Sequence, residues 1–122
     1  LGTSNKAVKA DPVDQALYPL GFYPGQPERK VRGVEMTDEQ YDDYSRIHGR
    51  TAHMLLTAQL PILTNSNVPP ASKQEVYQEA MSAATAWAEA AVFMGSAGTD
   101  NDIIRQAVDA KTAKLRPAAA AH

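Results

Sequence analysis

Met36-Thr37-Asp38-Glu39-Gln40-Tyr41 marks the start of a helix, and reading outward from it decides the fold. Thr37 followed three residues later by Gln40 is a capping box, in which the threonine hydroxyl and the glutamine amide each satisfy a backbone amide left free by the first turn. Asp38 and Glu39 lie at the positive end of the helix dipole, and Met36 and Tyr41 have the spacing of a hydrophobic staple. From here the periodicity predicts a helix over 38–59, with Tyr41, Tyr44, His48, Thr51, Ala52 and Leu55 on one side and Ile47, Met54 and Leu60 widening the stripe. Glycine inside a helix costs about 1 kcal/mol relative to alanine, so Gly49 is expected to mark a close helix contact or a bend. Pro61 is expected to end or kink the helix.

Downstream, Ile62 to Ala71 contains Asn65-Ser66-Asn67 and Pro69-Pro70, a composition that lets the chain reverse. Ser72-Lys73-Gln74-Glu75 has the pattern of a second capping box, opening a helix over 73–94 that stops at Gly95. Tyr77, Ala80, Met81, Ala84, Trp87, Ala88, Ala91 and Met94 line one side of it, while Ala83, Ala86 and Ala90 make the other side nearly as apolar. A helix so apolar is expected to be covered on two sides, which predicts a central position. Thr99-Asp100-Asn101-Asp102 supplies caps for a third helix over 102–115, carrying Ile104, Ala107, Val108, Lys111 and Leu115, with Pro117 as its stop.

Upstream, Pro12, Pro19, Pro24 and Pro27 with Gly2, Gly21 and Gly25 disfavour long regular elements and predict an extended arm over 1–36. Asp11-Pro12 suits the start of one helical turn reaching Leu17. Lys30 to Met36 reads as a short extended lead-in rather than a sheet. Leu17, Tyr18, Leu20, Phe22 and Tyr23 cluster between prolines and need a surface, either the chain's own helices or a neighbouring protein. Together with Trp87 they are the candidate partner-binding residues. The expected organisation is an arm over 1–36, a helical domain over 37–116 and a frayed tail over 117–122: an all-α, small bundle of about three helices.

Composition narrows the functional classes. In 122 residues the apolar fraction of 43% contains many alanines, which bury little area, so the core is expected to be thin and oligomerisation to help stabilise it. A net charge of −2 gives no broad positive field of the kind that holds a phosphate backbone, so direct nucleic-acid binding is not expected. Cysteine is absent, which removes disulfides, thiolate nucleophiles and cysteine zinc sites. No run approaches the roughly 20 apolar residues of a membrane span. Leu1 at one end and Arg116-Pro117 with four alanines and His122 at the other suggest a piece of a longer polypeptide.

Candidate chemistry is sparse. His48 and His53 are five apart, whereas two rings on one helix converge on a metal at spacings of three or four, so no metal site or cofactor is expected. Asp38, Glu39, Asp42 and Asp43 read as dipole compensation rather than a catalytic pair. Ser45, Ser72, Ser82 and Ser96 have no nucleophile setting, and Gly95-Ser96-Ala97-Gly98 lacks the ending of a phosphate loop. An acid–base centre of His48 with Asp43 or Tyr44 is the remaining enzymatic possibility, and the expectation is a protein that is not an enzyme. Arg29-Lys30-Arg32 is a basic cluster that suits either an acidic partner or a solvated linker.

The stretch Arg32-Gly33-Val34-Glu35-Met36-Thr37-Asp38-Glu39-Gln40-Tyr41-Asp42-Asp43-Tyr44, with Ile47, Gly49 and the Ala52 to Leu60 helix after it, resembles a segment that recurs in large bacteriophage and prophage proteins. There a "GVELTxEQYDxY" pattern follows a proline-rich approach near the C-terminal end of very long, virion-associated or DNA-ejection polypeptides. The likeness spans 19–94 in organisation. The polar Thr64 to Ser72 loop and a third helix after Gly98 depart from it. The resemblance implies a helical tail piece that assembles into a virion, with release into the host on infection, and it carries over no catalytic residue.

The expected function is therefore a structural or assembly module of a virion, with a second copy or other virion proteins as partners and the particle as its location. The alternative is a cytoplasmic adaptor bundle that binds a partner helix or peptide in a groove beside Trp87.

Overall fold

In the computed structural model, which describes residues 11–95 and 101–115, the elements run α1 (Pro12–Leu17), β1 (Lys30–Val31), β2 (Val34–Glu35), α2 (Asp38–Leu63), α3 (Pro70–Phe93) and α4 (Asn101–Thr112). Short 3-10 turns follow α1 at Tyr18–Leu20 and α4 at Ala113–Leu115. The class is all-α. Thr99-Asp100, Pro117 and the 117–122 tail lie outside the described residues.

The capping box forms as its residues require: Thr37 Oγ1 accepts from the Gln40 amide at 3.1 Å and Gln40 Oε1 accepts from the Thr37 amide at 2.9 Å. Met36 and Tyr41 then join one apolar cluster with Tyr44 and Ala88. The helix runs past its expected end, through Pro61 to Leu63. A proline inside a helix costs about 3 kcal/mol. Fully burying Ile62 and Leu63 is worth roughly 1.5–3 kcal/mol each, which covers that cost, while the Pro61 ring itself stays at the surface. Gly49 makes no close helix contact, since a methyl group there would meet nothing within 4 Å.

The second capping box does not form. Pro69 is the N-cap of α3, with no side-chain cap, and Pro70 occupies the first turn, so Ser72 already lies inside the helix. Proline at the first helical position has its backbone angle preset and lacks only an amide that would go unpaired anyway, which moves the start ahead of the serine. Val76, Ala80, Ala84 and Ala88 then form a buried stripe at four-residue steps against α2. The pairing of Tyr44 with Ala88 and of His48 with Thr85 makes α2 and α3 antiparallel. The main core combines Leu55, Leu56, Ile62 and Leu63 of α2 with Val76, Ala80 and Ala84 of this stripe.

Residues 11–36 are not an extended arm. Asp11 caps α1 by accepting from the Val13 amide at 2.9 Å, and Val13 and Leu17 enter the main core. Phe22 stacks on Tyr77 of α3 with ring centroids 4.5 Å apart. Lys30 pairs with Glu35 and Val31 with Val34 in an antiparallel hairpin, against the expectation of no sheet. Its two-residue loop, Arg32-Gly33, has φ of 53° and 81°, the positive values that a type I′ turn demands and that suit the twist of a tight hairpin.

Helix α4 crosses the far end of the α2–α3 pair, where Val108 is buried. The Gln59 amide donates to Asp109 Oδ1 at 2.8 Å and its oxygen accepts from the Thr112 hydroxyl at 2.9 Å. Lys111 bonds Glu79 of α3 at 3.1 Å. The central helix is thus covered by α2 and, over part of its length, by α4.

A candidate protein-docking groove

The hairpin's placement starts with Arg29. Its guanidinium pairs with Asp38 in the first turn of α2, sits 5.3 Å over the Tyr41 ring and donates through Nε to the Met36 carbonyl at 3.3 Å. The Tyr41 hydroxyl donates to the Pro27 carbonyl at 2.7 Å. These contacts fix the hairpin beside the first turns of α2, level with the last turns of α3. The basic cluster is therefore divided: Arg29 is structural, Lys30 faces Glu35 across the hairpin, and Arg32 stands at the turn.

Between hairpin and helix lies a groove of about 410 Å³. Val31, Val34 and Met36 form one wall, and Glu89, Phe93 and Met94 form the other, with Arg32, Glu35 and Gln40 at its edges. Val34 and Met94 are each 69% exposed and Phe93 is 43% exposed, a concentration of large apolar side chains in water on a small domain. No ion pair among the described residues involves Arg32, Glu35 or Glu89. Tyr44 clusters with Met36 of the groove wall; burial, reinforced by the negative charge of Glu89, pushes its hydroxyl pKa up.

The candidate partner-binding residues separate. Leu17 and Phe22 are spent in the chain's own core, because α1 and the turn after it fold back on α2 and α3, so neither offers a surface to a partner. Tyr18, Leu20 and Tyr23 remain outside, with the two tyrosine rings 5.5 Å apart. Asp14 beside Tyr18 raises that tyrosine's pKa, chiefly through its charge. Trp87 is half-buried on α3 and is not part of the groove wall. Arg32, Val34, Phe93 and Met94 were not among the expected site residues. The signal for the hairpin was the two-residue loop with Gly33 between Val31 and Val34, and Met94 stood in the sequence on the packing side of the central helix.

The histidines occupy different environments. His48 is buried between α2 and α3, with Nε2 3.3 Å from the Thr85 hydroxyl and its ring 6.0 Å from that of Tyr44. Desolvation lowers its pKa. His53 is exposed, 3.2 Å from Asp11, and Asp43 pairs with Arg46. Among the described residues no three His, Asp or Glu side chains converge as a metal set, and no helix is long and apolar enough to cross a membrane.

Fold and groove together define a small antiparallel helical bundle that carries a hairpin and an open apolar groove at one end. Compared with protein-family models, curated proteins and solved structures, the chain finds no match.

Proposed function

We propose that the protein is an assembly module, a non-catalytic piece of a phage or prophage virion whose work is to hold protein–protein contacts within the particle. The observation that carries this reading is the groove. Val34, on a hairpin that an ion pair and a cation–π contact pin in place, and Phe93 and Met94, at the end of α3, stand exposed to water on facing walls, and such apolar surface is what a protein partner covers. The resemblance of Arg32 to Tyr44 to the recurring virion-protein segment supports the particle as its setting, and the hairpin's turn, its second strand and the start of α2, which border the groove, lie inside that same segment.

The test is physical association. Particles purified on a density gradient from a culture producing this chain are probed with an antibody raised against residues 11–115. The chain is expected to comigrate with the particles and to resist a high-salt wash, because an apolar contact is not screened by salt. Recovery of the chain wholly in the particle-free fraction would overturn the virion reading.

A further inference from the structure

Residues 27–36 are fastened to the bundle by means unlike those that hold the rest of it. They bury one side chain, Met36, in the small cluster with Tyr44 and Ala88; Val31 is half-buried against that cluster, and Lys30 and Arg32 to Glu35 are exposed. The main core, by contrast, fully buries Leu17, Leu55, Leu56, Ile62 and Leu63. The other fastenings of 27–36 are polar. Arg29 lies over the Tyr41 ring and pairs with Asp38, whose side chain is 96% exposed, and the Tyr41 hydroxyl bonds the Pro27 carbonyl. An ion pair so open to water contributes little net stability, and an isolated hairpin is marginal on its own.

Both flanks of this segment are anchored without it. Upstream, Phe22 enters the main core and stacks on Tyr77, and between it and the segment Tyr23, Gly25 and Gln26 lie exposed in no regular element. Downstream, the Thr37–Gln40 box closes within α2 itself. The small cluster is also separate from the main core: the polar pair of His48 and Thr85 lies between Tyr44 and Ala88 on one side and Ala52 and Ala84 on the other. The segment can therefore swing away without breaking a hydrogen bond inside α2 or α3.

We propose that residues 27–36 are a hinged strap, latched by Arg29, that opens as a unit while α2 and α3 stay folded. Opening removes the hairpin wall of the groove and uncovers the apolar side chains around Tyr44, so the latch sets how much apolar surface this end of the bundle presents. Segments with few buried contacts open at a smaller cost than the fold as a whole. The strap is a property of the chain alone and does not depend on the assembly reading.

Native-state hydrogen exchange of the full chain, read at single amides by NMR in increasing, sub-denaturing urea, tests this. The Met36 amide, bonded to the Arg29 carbonyl at 2.9 Å, reports the strap; Leu55 and Leu56 of α2 and Ala84 of α3 report the bundle. Met36 is expected to be measurably protected, yet at least about a hundredfold less than the helical amides. Its exchange should depend little on urea, because the opening exposes little surface. Arg29→Gln is expected to lower Met36 protection at least about threefold, the scale of one exposed ion pair with its ring contact, and to leave the helical amides unchanged. Met36 protection that equals that of the helices and follows their urea dependence would mean that the strap yields only with the whole fold, and overturns the proposal. Exchange of Met36 at the rate of an unstructured peptide overturns it too, since nothing is then latched. Wild-type exchange at Met36 in the Arg29 variant removes Arg29 as the latch, and a parallel loss of protection in α2 and α3 removes the independent opening. None of these results bears on whether the chain comigrates with particles, so the two readings fail separately.

Discussion

The Thr85 hydroxyl lies 3.3 Å from Nε2 of His48, so an ionisable ring in the α2–α3 interface is met by a neutral partner. Tyr44 is the other group against it, and the Glu89 carboxylate acts on Tyr44. Burial lowers the His48 pKa, which means the folded state binds its proton less readily than the unfolded state. The stability this neutral ring contributes is complete above its ordinary value of 6.5 and is lost as pH falls from there through the lowered folded value. Urea midpoints are expected to drop between pH about 8 and about 5, and His48→Gln, which keeps a hydrogen-bonding group opposite Thr85, is expected to flatten part of that slope. An identical slope in the variant would remove His48 as its source.

Gln59 is fully buried, and both ends of its amide are used, one by Asp109 and one by Thr112. Thr112→Val leaves the glutamine oxygen buried without a donor, at an expected loss of about 1–3 kcal/mol. Gln59→Leu/Thr112→Val removes both partners of that bond and is expected to be less destabilised than the sum of the single changes. Denaturant unfolding of the four proteins in the cycle measures this; strict additivity would mean that the Gln59–Thr112 bond contributes no coupling between α2 and α4.

The all-α class and both long helices were legible because their signals are local. Thr37 and Gln40 need only each other, and the alanine stripe of α3 repeats every turn. What was not legible depended on competition between a local rule and a distant surface. Pro61 has a helix-ending chemistry of its own, but the core available to Ile62 and Leu63 outweighs it. Ser72 matches a cap, but Pro70 reaches the first turn before it. Proline and glycine density implied an extended arm, whereas Leu17 and Phe22 had a core to enter. The groove was hidden for the same reason, since Arg29 meets Asp38 and Tyr41 only once the hairpin has closed, and no periodicity announces that contact.

Gly49 tests how much slack α2 contains. It is exposed within a regular helix, and an added methyl group meets nothing within 4 Å. Gly49→Ala is therefore expected to raise stability by roughly 0.5–1 kcal/mol through reduced freedom of the unfolded chain. A lower thermal midpoint in the variant would show that the helix needs the glycine.

Phe22 and Tyr23 are neighbours with opposite fates, and their contrast tests whether the N-terminal segment belongs to the folded unit. Phe22 is buried and stacks on Tyr77 at an interplanar angle of 14°, while Tyr23 is 70% exposed. Phe22→Ala opens a cavity between the segment and α3, for an expected loss of about 3–5 kcal/mol. Tyr23→Ala removes little packing and is expected to stay within about 0.5 kcal/mol of wild type. Unfolding midpoints measure both. Limited proteolysis supplies a second readout, because a segment released from Tyr77 exposes the backbone around Tyr18 to Gln26 to cleavage while α2 and α3 stay protected. Equal, small effects of the two changes would mean that the Phe22–Tyr77 stack contributes little and that residues 11–36 are held through Val13, Leu17 and Met36 instead.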